Sequence, residues 1–383
     1  MKVLLSGVET NNKGAELMLY AILQELERKH PDAEVFVTQE MVREGTEHLK
    51  TAIKVNIVTM PWAARVCALL KITGALNRMG IRSGYLNNYC PVEELDYFID
   101  GSGLLFSDQR IDDPAIAETW HHRLKYLKCK GAKIVFLPQA FGPIKKRWTI
   151  NIVKALGKYA DLIYARDEVS YGNLSAIVTD RTKLRRSTDF TSLVDGVVPS
   201  RYSHLAGKVC IIPNIQMVSK GVMTLREYCW LLHTIIHTCR ENGHDCYLLN
   251  HEGEKDKRLM NDLRVLYDDD VERVSGLNAM EVKGLISTAY IVISSRFHGA
   301  VSALNTKVPC LTTSWNHKYE ELYKDYGVES GVLPIKETGA MNRMIADTLN
   351  SKKREAIRAK LEVAEERVRQ QARDMWSEIW SME

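Results

Sequence analysis

Residues 289–305 read AYIVISSRFHGAVSALN, and this stretch decides the fold class that the sequence predicts. Residues 290–294 form an apolar run of strand length, and a helical pattern begins close behind, at Gly299. A buried strand that turns directly into a helix is the repeating unit of a parallel α/β sheet. The turn carries Arg296 and His298. Two interpretations stay open there: a loop cap with an arginine–carboxylate pair, or an anion site that contains a proton-transfer group.

Similar apolar runs alternate with helical patterns through most of the chain. The strand candidates in the first half are 2–8, 34–38, 97–100, 133–137 and 162–165. Those in the second half are 209–212, 246–249, 290–294 and 310–313. This alternation predicts an α/β protein with two Rossmann-like domains facing across a cleft, an arrangement of the glycosyltransferase-B type.

The length of the chain, 383 residues, exceeds one comfortable core and favours two domains. The segment 195–207, DGVVPSRYSHLAG, combines Gly, Pro and Ser and is the best linker candidate. We therefore expect an N-terminal domain at 1–195 and a C-terminal domain at 196–350. The charged helical pattern of 351–383 is expected to rejoin the N-terminal domain.

Composition excludes several classes of protein. The formal net charge of +4 is small for this length and argues against a nucleic-acid partner. The N-terminal apolar run is too short for a signal peptide, and no stretch approaches the ~20 apolar residues that span a bilayer. The eight cysteines form no CxxC pair and are expected to be reduced thiols. The sequence thus predicts a cytoplasmic protein.

One segment, residues 61–82, departs from the alternating pattern. It mixes large apolar side chains with four basic residues and contains no acidic residue. A helix that covers the sheet with its basic face in water is the first interpretation. An amphipathic helix at the inner face of a membrane is the second, which would make the protein peripheral there.

Polar residues follow the strands of the first half, where an open α/β sheet binds its ligands. After the first strand, Asn12 and Gly14 could expose backbone N–H groups at a helix N-terminus and form a modest anion site. The alternative is a capped turn in which Glu16 lies favourably near the positive end of the helix dipole. The next strand ends are marked by Gly101, Ser102 and Gly103, by Gln139, and by Arg166. Each of these is a weak signal alone, since two glycines around a serine also make an ordinary tight turn.

The chain lacks the motifs of several common enzyme classes. It has neither the dinucleotide fingerprint after its first strand nor a Walker loop, and no GxSxG nucleophile elbow. His233 and His237 lie four residues apart on a helical pattern, but Thr234 takes the place of the glutamate in HExxH. Their apolar neighbours favour a packed helix, so we expect no metal site and no bound cofactor.

In their order along the chain, these stretches resemble the polysaccharide pyruvyl transferase family, and the resemblance covers nearly the whole chain. The matching pieces are Asn12–Glu16, Gly101–Gly103, the loop 138–143, Arg166-Asp167 with Ser170, Asp189, Arg296-Phe297-His298, Pro309 and Lys318. Three departures are visible: Gly-Ser-Gly for the family's triple glycine, Gln139-Ala140 for Gln-Ser, and Trp315-Asn316-His317 before the lysine. The departures bear on substrate selectivity more than on reaction class.

The resemblance implies transfer of pyruvate from phosphoenolpyruvate to two hydroxyls of a sugar, giving a cyclic ketal. The acceptor would be a polysaccharide sugar or a lipid-linked oligosaccharide, and neither a metal nor a nucleotide is needed. His298 would act as acid and base, Arg296 and Arg166 would hold the anionic donor, and Lys318 would steady the leaving phosphate. Asn12, Gly14, Glu16, Gly101–Gly103 and Gln139 would contribute to substrate binding.

Two other functions remain open. A glycosyltransferase with a nucleotide-sugar donor can be built on the same fold. Alternatively, the protein could be a catalytically silent binding member of the same pathway, although such a protein would not need all four of Arg166, Arg296, His298 and Lys318.

Overall fold

The computed structural model describes residues 1–10, 12–38, 55–58, 92–313 and 318–382, without the side chains of 38, 55–58, 92 and 318. Contacts divide the chain into two compact units. The first comprises Met1–Asn11, Met18–Ser187 and Met375–Glu383, and the second comprises Asn12–Leu17 and Thr188–Asp374. The segment 61–82, for which membrane contact was considered, lies outside the described residues.

The first unit is built on a parallel sheet of seven described strands. They are β1 (Lys2–Ser6), β2 (Glu34–Thr38), β3 (Val55–Val58), β4 (Tyr97–Asp100), β5 (Lys133–Gln139), β6 (Leu162–Ala165) and β7 (Leu184–Arg186). Their order across the sheet is β3-β2-β1-β4-β5-β6-β7, and every pair is parallel. This is a Rossmann order, in which the chain changes direction between β1 and β4.

The second unit has a five-stranded parallel sheet. Its strands are β8 (Val209–Ile212), β9 (Cys246–Leu249), β10 (Glu272–Val274), β11 (Val292–Ser294) and β12 (Cys310–Thr312). The order β10-β9-β8-β11-β12 again reverses direction, here between β8 and β11. The prediction of an α/β protein with two parallel, Rossmann-like sheets is therefore confirmed.

Helices connect the strands of both sheets. The α-helices of the described residues are α1 (Lys13–Lys29), α2 (Pro114–Cys129), α3 (Arg147–Tyr159), α4 (Glu168–Ser175), α5 (Gln216–Ser219), α6 (Leu225–Glu241), α7 (Gly253–Tyr267), α8 (Ala279–Ser287), α9 (Phe297–Asn305), α10 (Lys318–Tyr326), α11 (Thr338–Leu349) and α12 (Ser351–Trp380). Short 3₁₀ helices lie at Val92–Glu94, Arg181–Lys183, Phe190–Leu193, Ser200–Leu205 and Glu329–Gly331. Within the described ranges, no helix is both long enough and apolar enough to cross a membrane.

Local capping explains where several helices begin. The Thr224 side chain accepts a hydrogen bond from the N–H of Glu227, and the Glu227 carboxylate accepts one from the N–H of Thr224. Asn278 and Glu281 make the same reciprocal pair at the start of α8. Such capping boxes satisfy N–H groups that the first turn leaves without helical partners. The starts of α6 and α8 are thus determined by their local sequences.

The core of the first unit is aromatic near the ends of β4 and β5. Phe106 stacks on Phe141 with ring centroids 5.8 Å apart and contacts Trp120 and Phe136 edge-on. Phe98 packs edge-on against Phe136 and Trp120. Edge-to-face and offset pairs of this kind favour fixed ring orientations. The loops that follow β4 and β5 are therefore held on a rigid base.

The long C-terminal helix α12 contributes to both units. Residues 351–374 belong to the second unit, whose core includes Leu361, Ala364 and Val368. Residues from Met375 onward belong to the first unit, where Trp380 donates a hydrogen bond to Glu25. The contact boundary between the units falls at 187/188, ahead of the segment 195–207 that was expected to be the linker. That segment contains the 3₁₀ helix Ser200–Leu205.

Candidate active site

His298 lies in the first turn of α9 and is enclosed on two sides within the second unit. Its Nε2 is 3.9 Å from Oδ2 of Asp189. On the other side lies Gly14, where a Cβ atom would stand 2.0 Å from the ring Nδ1. Glycine is therefore required at position 14 if the imidazole is to keep this position. About a fifth of the His298 side chain remains exposed, so the ring is held but accessible (19%).

The segment around Gly14 begins helix α1 and belongs to the second unit. The Asn12 side-chain oxygen accepts hydrogen bonds from the N–H groups of Gly14 (2.9 Å) and Ala15 (3.3 Å). Lys13 donates to the fully buried Glu16 carboxylate, with Nζ 2.5 Å from Oε2. The capped-turn interpretation thus describes this loop, and the same loop also forms one wall of the His298 site. Asn12, Gly14 and His298, predicted from separate motifs, lie together.

Arg296 precedes α9 and is held by two carboxylates. Its Nε and Nη2 donate to Oδ2 of Asp256 at 3.0 and 2.6 Å, and its Nη1 contacts Glu252. Burial lowers the pKa of the Arg296 guanidinium to about 10, so it stays a cation at neutral pH. Asp256 is completely buried, whereas Glu252 is about one-third exposed. The arginine–carboxylate pair considered from the sequence is therefore present in the structure.

Ser295 anchors the turn that presents Arg296 and His298. Its carbonyl accepts hydrogen bonds from the Asn214 amide and from the hydroxyl of Tyr319, each at 2.9 Å. Its hydroxyl accepts from Tyr228 at 2.7 Å. All of these groups are buried, and buried hydrogen bonds in a network hold their members in one geometry. The side chains on either side of this turn are consequently presented by a rigid support.

His251, which the sequence did not single out, is buried beside this cluster. Burial lowers its pKa well below the ordinary value, and the nearby basic groups of Arg296, His298 and Lys13 act in the same direction. His251 is therefore neutral at neutral pH. It follows the end of β9 and precedes Glu252, so the loop after β9 supplies two residues near Arg296.

The neutral state of His251 predicts a pH-dependent loss of stability. Because its folded pKa lies below the unfolded value of about 6.5, only the unfolded chain binds a proton there as pH falls. The free energy of unfolding should decrease by up to about 1.4 kcal/mol per pH unit below that value. We expect His251→Asn to flatten this dependence in urea titrations between about pH 7.5 and pH 5.5. The exposed His237→Asn is the matched control, and an equal slope for wild type and His251→Asn would contradict the prediction.

In the first unit, the ends of β4 and β5 carry a second polar cluster. The buried Asp100 carboxylate accepts hydrogen bonds from the N–H of Ser102 (3.2 Å) and the side chain of Gln139 (3.1 Å). Burial raises the pKa of Asp100, and the hydrogen bonds oppose that effect. At Gly7, a Cβ atom would stand 2.0 Å from the Ser102 hydroxyl, so β1 and β4 end in close contact. Asp100 was missed from the sequence.

Further residues predicted from the first half lie along the same sheet edge. Gly101 directly follows β4, and Gly103 has a positive φ of 68° and accepts a hydrogen bond from the N–H of Ala140. Arg166 follows β6, and its N–H donates to the carbonyl of Gln139 at 3.0 Å. Arg166 is buried, with 6% of its surface exposed. Gly101–Gly103, Gln139 and Arg166 thus form one group in the first unit, whereas Arg296 and His298 belong to the second.

The remaining predictions concern Lys318 and metal binding. Lys318 begins helix α10, and its side chain lies outside the described residues. His233 contacts Asp269 at 3.3 Å and stacks on Tyr267, which accords with a packing role. Among the residues that the structure describes, no three His, Cys, Asp or Glu side chains are grouped as metal ligands would be.

Several solved structures have a similar fold. UDP-GlcNAc 2-epimerase from Methanocaldococcus jannaschii is 12% identical, with a TM-score of 0.58 over 92% of this chain and 94% of that one. The same enzyme from Neisseria meningitidis, bound to UDP-GlcNAc, is 11% identical with a TM-score of 0.60 over 100% of both chains. Anabaena HepE in complex with UDP is 13% identical with a TM-score of 0.61 over 100% and 99%. At these identities the likeness shows the fold, which is of the GT-B type.

Sequence comparison is more specific. No curated protein matches the chain. The family model of the polysaccharide pyruvyl transferases, however, matches residues 12–317, a span that begins at the Asn12 loop and includes Asp189, Arg296 and His298. The resemblance seen in the sequence is thereby confirmed, and the chain belongs to the polysaccharide pyruvyl transferase family.

Proposed function

We propose that the protein transfers pyruvate from phosphoenolpyruvate to two hydroxyls of a sugar, in a polysaccharide or its lipid-linked precursor. The products are a cyclic ketal and inorganic phosphate. The observation that carries the proposal is the enclosure of His298 between Gly14 and Asp189, in a chain of the pyruvyl transferase family. The two residues that flank the histidine come from distant parts of the sequence but belong to one compact unit.

The proposed reaction needs an acid and a base at one place. Protonation of C3 of phosphoenolpyruvate makes C2 electrophilic, and one sugar hydroxyl adds to C2 while losing its proton. The second hydroxyl then attacks C2 as the C2–O bond to phosphate breaks, and its proton leaves with the phosphate. His298 can supply the first proton and accept the next. Asp189, 3.9 Å from Nε2, can stabilise the imidazolium between these steps.

We propose that Arg296 binds an anionic group of the donor. Asp256 fixes one edge of its guanidinium, and a planar guanidinium still offers further N–H donors to a carboxylate or phosphate. Glu252, the more exposed of its two carboxylate neighbours, contacts Nη1 and would have to yield to such an anion. Roles for Arg166 and Lys318 in binding the donor stay predictions from the sequence.

A nucleotide-sugar enzyme is the second candidate, favoured by the UDP complexes among the similar folds. A thermal-shift panel separates the possibilities. Phosphoenolpyruvate should raise the melting temperature of a pyruvyl transferase, and UDP that of a nucleotide-sugar enzyme. Stabilisation by neither ligand would favour a silent binding protein.

The decisive experiment combines the protein with phosphoenolpyruvate and a series of sugar and sugar-lipid acceptors. We expect acceptor-dependent release of phosphate, with a product whose mass and NMR spectrum show a pyruvate ketal. Turnover of a UDP-sugar without release of phosphate from phosphoenolpyruvate would overturn the proposal. The acceptor that gives the highest kcat/KM would identify the sugar.

Gly14→Ala should impair this reaction without unfolding the protein. The added Cβ would stand 2.0 Å from Nδ1 of His298 and 2.4 Å from Cγ, so the whole ring must move. A misplacement of about 1 Å can lower a rate about 10²-fold. Gly172→Ala is the matched control, because a Cβ there meets nothing within 4 Å. Equal phosphate release by the two variants would contradict the inferred role of Gly14.

A further inference from the structure

Lys283 is a buried lysine to which the proposed chemistry assigns no role. It lies on α8 with 1% of its surface exposed, and its ammonium donates a hydrogen bond to the carbonyl of Thr191 at 2.8 Å. Lysines are almost never fully buried unless they are paired, because desolvation of the charge is costly. The desolvation cost of the Lys283 ammonium must therefore be offset by the groups that surround it.

Thr191, whose carbonyl accepts the hydrogen bond of Lys283, also donates two hydrogen bonds to Asp189. The N–H and the hydroxyl of Thr191 donate to Oδ1 of Asp189 at 3.1 and 2.6 Å. The other oxygen of the same carboxylate, Oδ2, is the one 3.9 Å from His298 Nε2. A chain of buried contacts thus leads from Lys283 through Thr191 and Asp189 to the imidazole.

Charge and packing keep Lys283 in this position. Burial lowers the pKa of its ammonium to about 8, and the Asp189 carboxylate is the largest influence in the opposite direction. The other charged groups that face it are Asp195, Glu365 and Arg369. The helix itself is closely packed, since a Cβ at Gly284 would stand 2.2 Å from the carbonyl oxygen of Val197. Lys283 is thus a cation at neutral pH on a helix with no room to shift.

We propose that Lys283 is a positioning residue, whose ammonium holds the Asp189–Thr191 turn so that the Asp189 carboxylate stays against the His298 imidazole. It touches no reacting atom and acts through Asp189. Its importance for turnover rests on the function proposed above, whereas its effect on His298 can be measured without any substrate. Groups that orient a metal-ligating histidine typically change activity by about 10- to 100-fold when replaced, and we expect an effect of similar size here.

The test is the titration of the His298 ring, followed by NMR in the full-length chain. A carboxylate beside a histidine raises the imidazole pKa, so loosening Asp189 in Lys283→Met should lower the titration midpoint of His298. Loss of the lysine charge alone would raise that midpoint instead. A downward shift therefore isolates positioning from simple electrostatics. His251, also near His298, is the other ring to be resolved in the same spectra.

A double-mutant cycle supplies the control. Asp189→Asn should lower the His298 midpoint, and adding Lys283→Met to Asp189→Asn should lower it no further, because the two act in series. Lys283→Arg, which keeps a cationic donor, should restore the midpoint, and the exposed Lys255→Met should leave it unchanged. A further decrease in the double variant, or a midpoint that rises or stays constant in Lys283→Met alone, would overturn the proposal.

A second variant and a kinetic measurement complete the test. If Lys283→Met does not fold, as judged by circular dichroism, Thr191→Val removes the 2.6 Å hydroxyl contact to Asp189 and should give the same downward shift. Once the wild type has been shown to release phosphate, Lys283→Met should lower kcat about 10-fold with KM nearly constant. An inactive wild type would contradict the proposed function, and the NMR cycle would still test the role of Lys283.

Discussion

Replacing His298 with alanine should lower phosphate release from phosphoenolpyruvate about 10²–10⁴-fold, the usual contribution of a general acid–base group. Phosphoenolpyruvate should still raise the melting temperature of the variant. The His298 ring lies between Gly14 and Asp189. The turn that presents Arg296 is held by the hydrogen bonds of Ser295, so loss of the His298 ring should leave the arginine in place to bind the donor. Initial rates at saturating donor and acceptor measure the effect.

The matched control for this variant is His204→Ala, which removes a half-exposed histidine of the same unit that pairs with Glu272. It should retain wild-type rates. Turnover close to wild type in His298→Ala would remove the acid–base assignment. Loss of phosphoenolpyruvate binding in that variant would instead assign His298 to donor binding.

Replacing Arg296 with alanine should abolish phosphoenolpyruvate binding and also destabilise the second unit. The variant leaves the fully buried Asp256 without its 2.6 Å partner, and breaking a buried pair typically costs about 3–5 kcal/mol. Urea denaturation measures the free energy of unfolding, and calorimetric titration with phosphoenolpyruvate measures binding. Arg296→Ala with Asp256→Leu should recover much of the stability without recovering binding.

The stability loss in Arg296→Ala should depend on pH. Burial raises the pKa of the Asp256 carboxyl to about 7, and removal of the neighbouring Arg296 cation should raise it further. A carboxyl with a raised folded pKa contributes stability at low pH that is lost as pH rises through that pKa. The deficit of Arg296→Ala should consequently shrink as the pH falls from about 8 to about 6. A deficit independent of pH would show that Asp256 is not the cause.

The sequence predicted the central strands and the edge strand Cys310–Thr312, but it missed three other edge strands. The strands 97–100, 162–165, 209–212 and 246–249 were predicted with their observed bounds, because each is a short, fully buried run that is apolar except for Asp100. Val55–Val58 was not predicted although three of its four residues are apolar. Leu184–Arg186 and Glu272–Val274 were not predicted either. Each lies at the edge of its sheet and is polar in two of three positions, so the apolar signal is absent.

The site was predictable where its residues directly follow strands. Arg296 and His298 stand after β11 and could be recognised from that position, but their neighbours could not. Asp256 follows β9 by a loop and the first turn of α7, and its approach to Arg296 depends on the order β9-β8-β11. Lys283 carries no signal at all, since a lysine on a helical pattern is normally solvated. Asp256 and Lys283 reach the site through contacts between elements that are distant in sequence, and local sequence patterns do not reveal such contacts.

The assignment of residues 12–17 to the second unit has a consequence for biosynthesis. During translation this segment leaves the ribosome long before the turn that carries His298 has been made. A fragment consisting only of residues 188–374 would contain Asp189, Arg296 and His298 but would lack the wall that Gly14 provides. Because long-range loop closure is the slow part of folding, the histidine site should be among the last regions of the nascent protein to reach its final form.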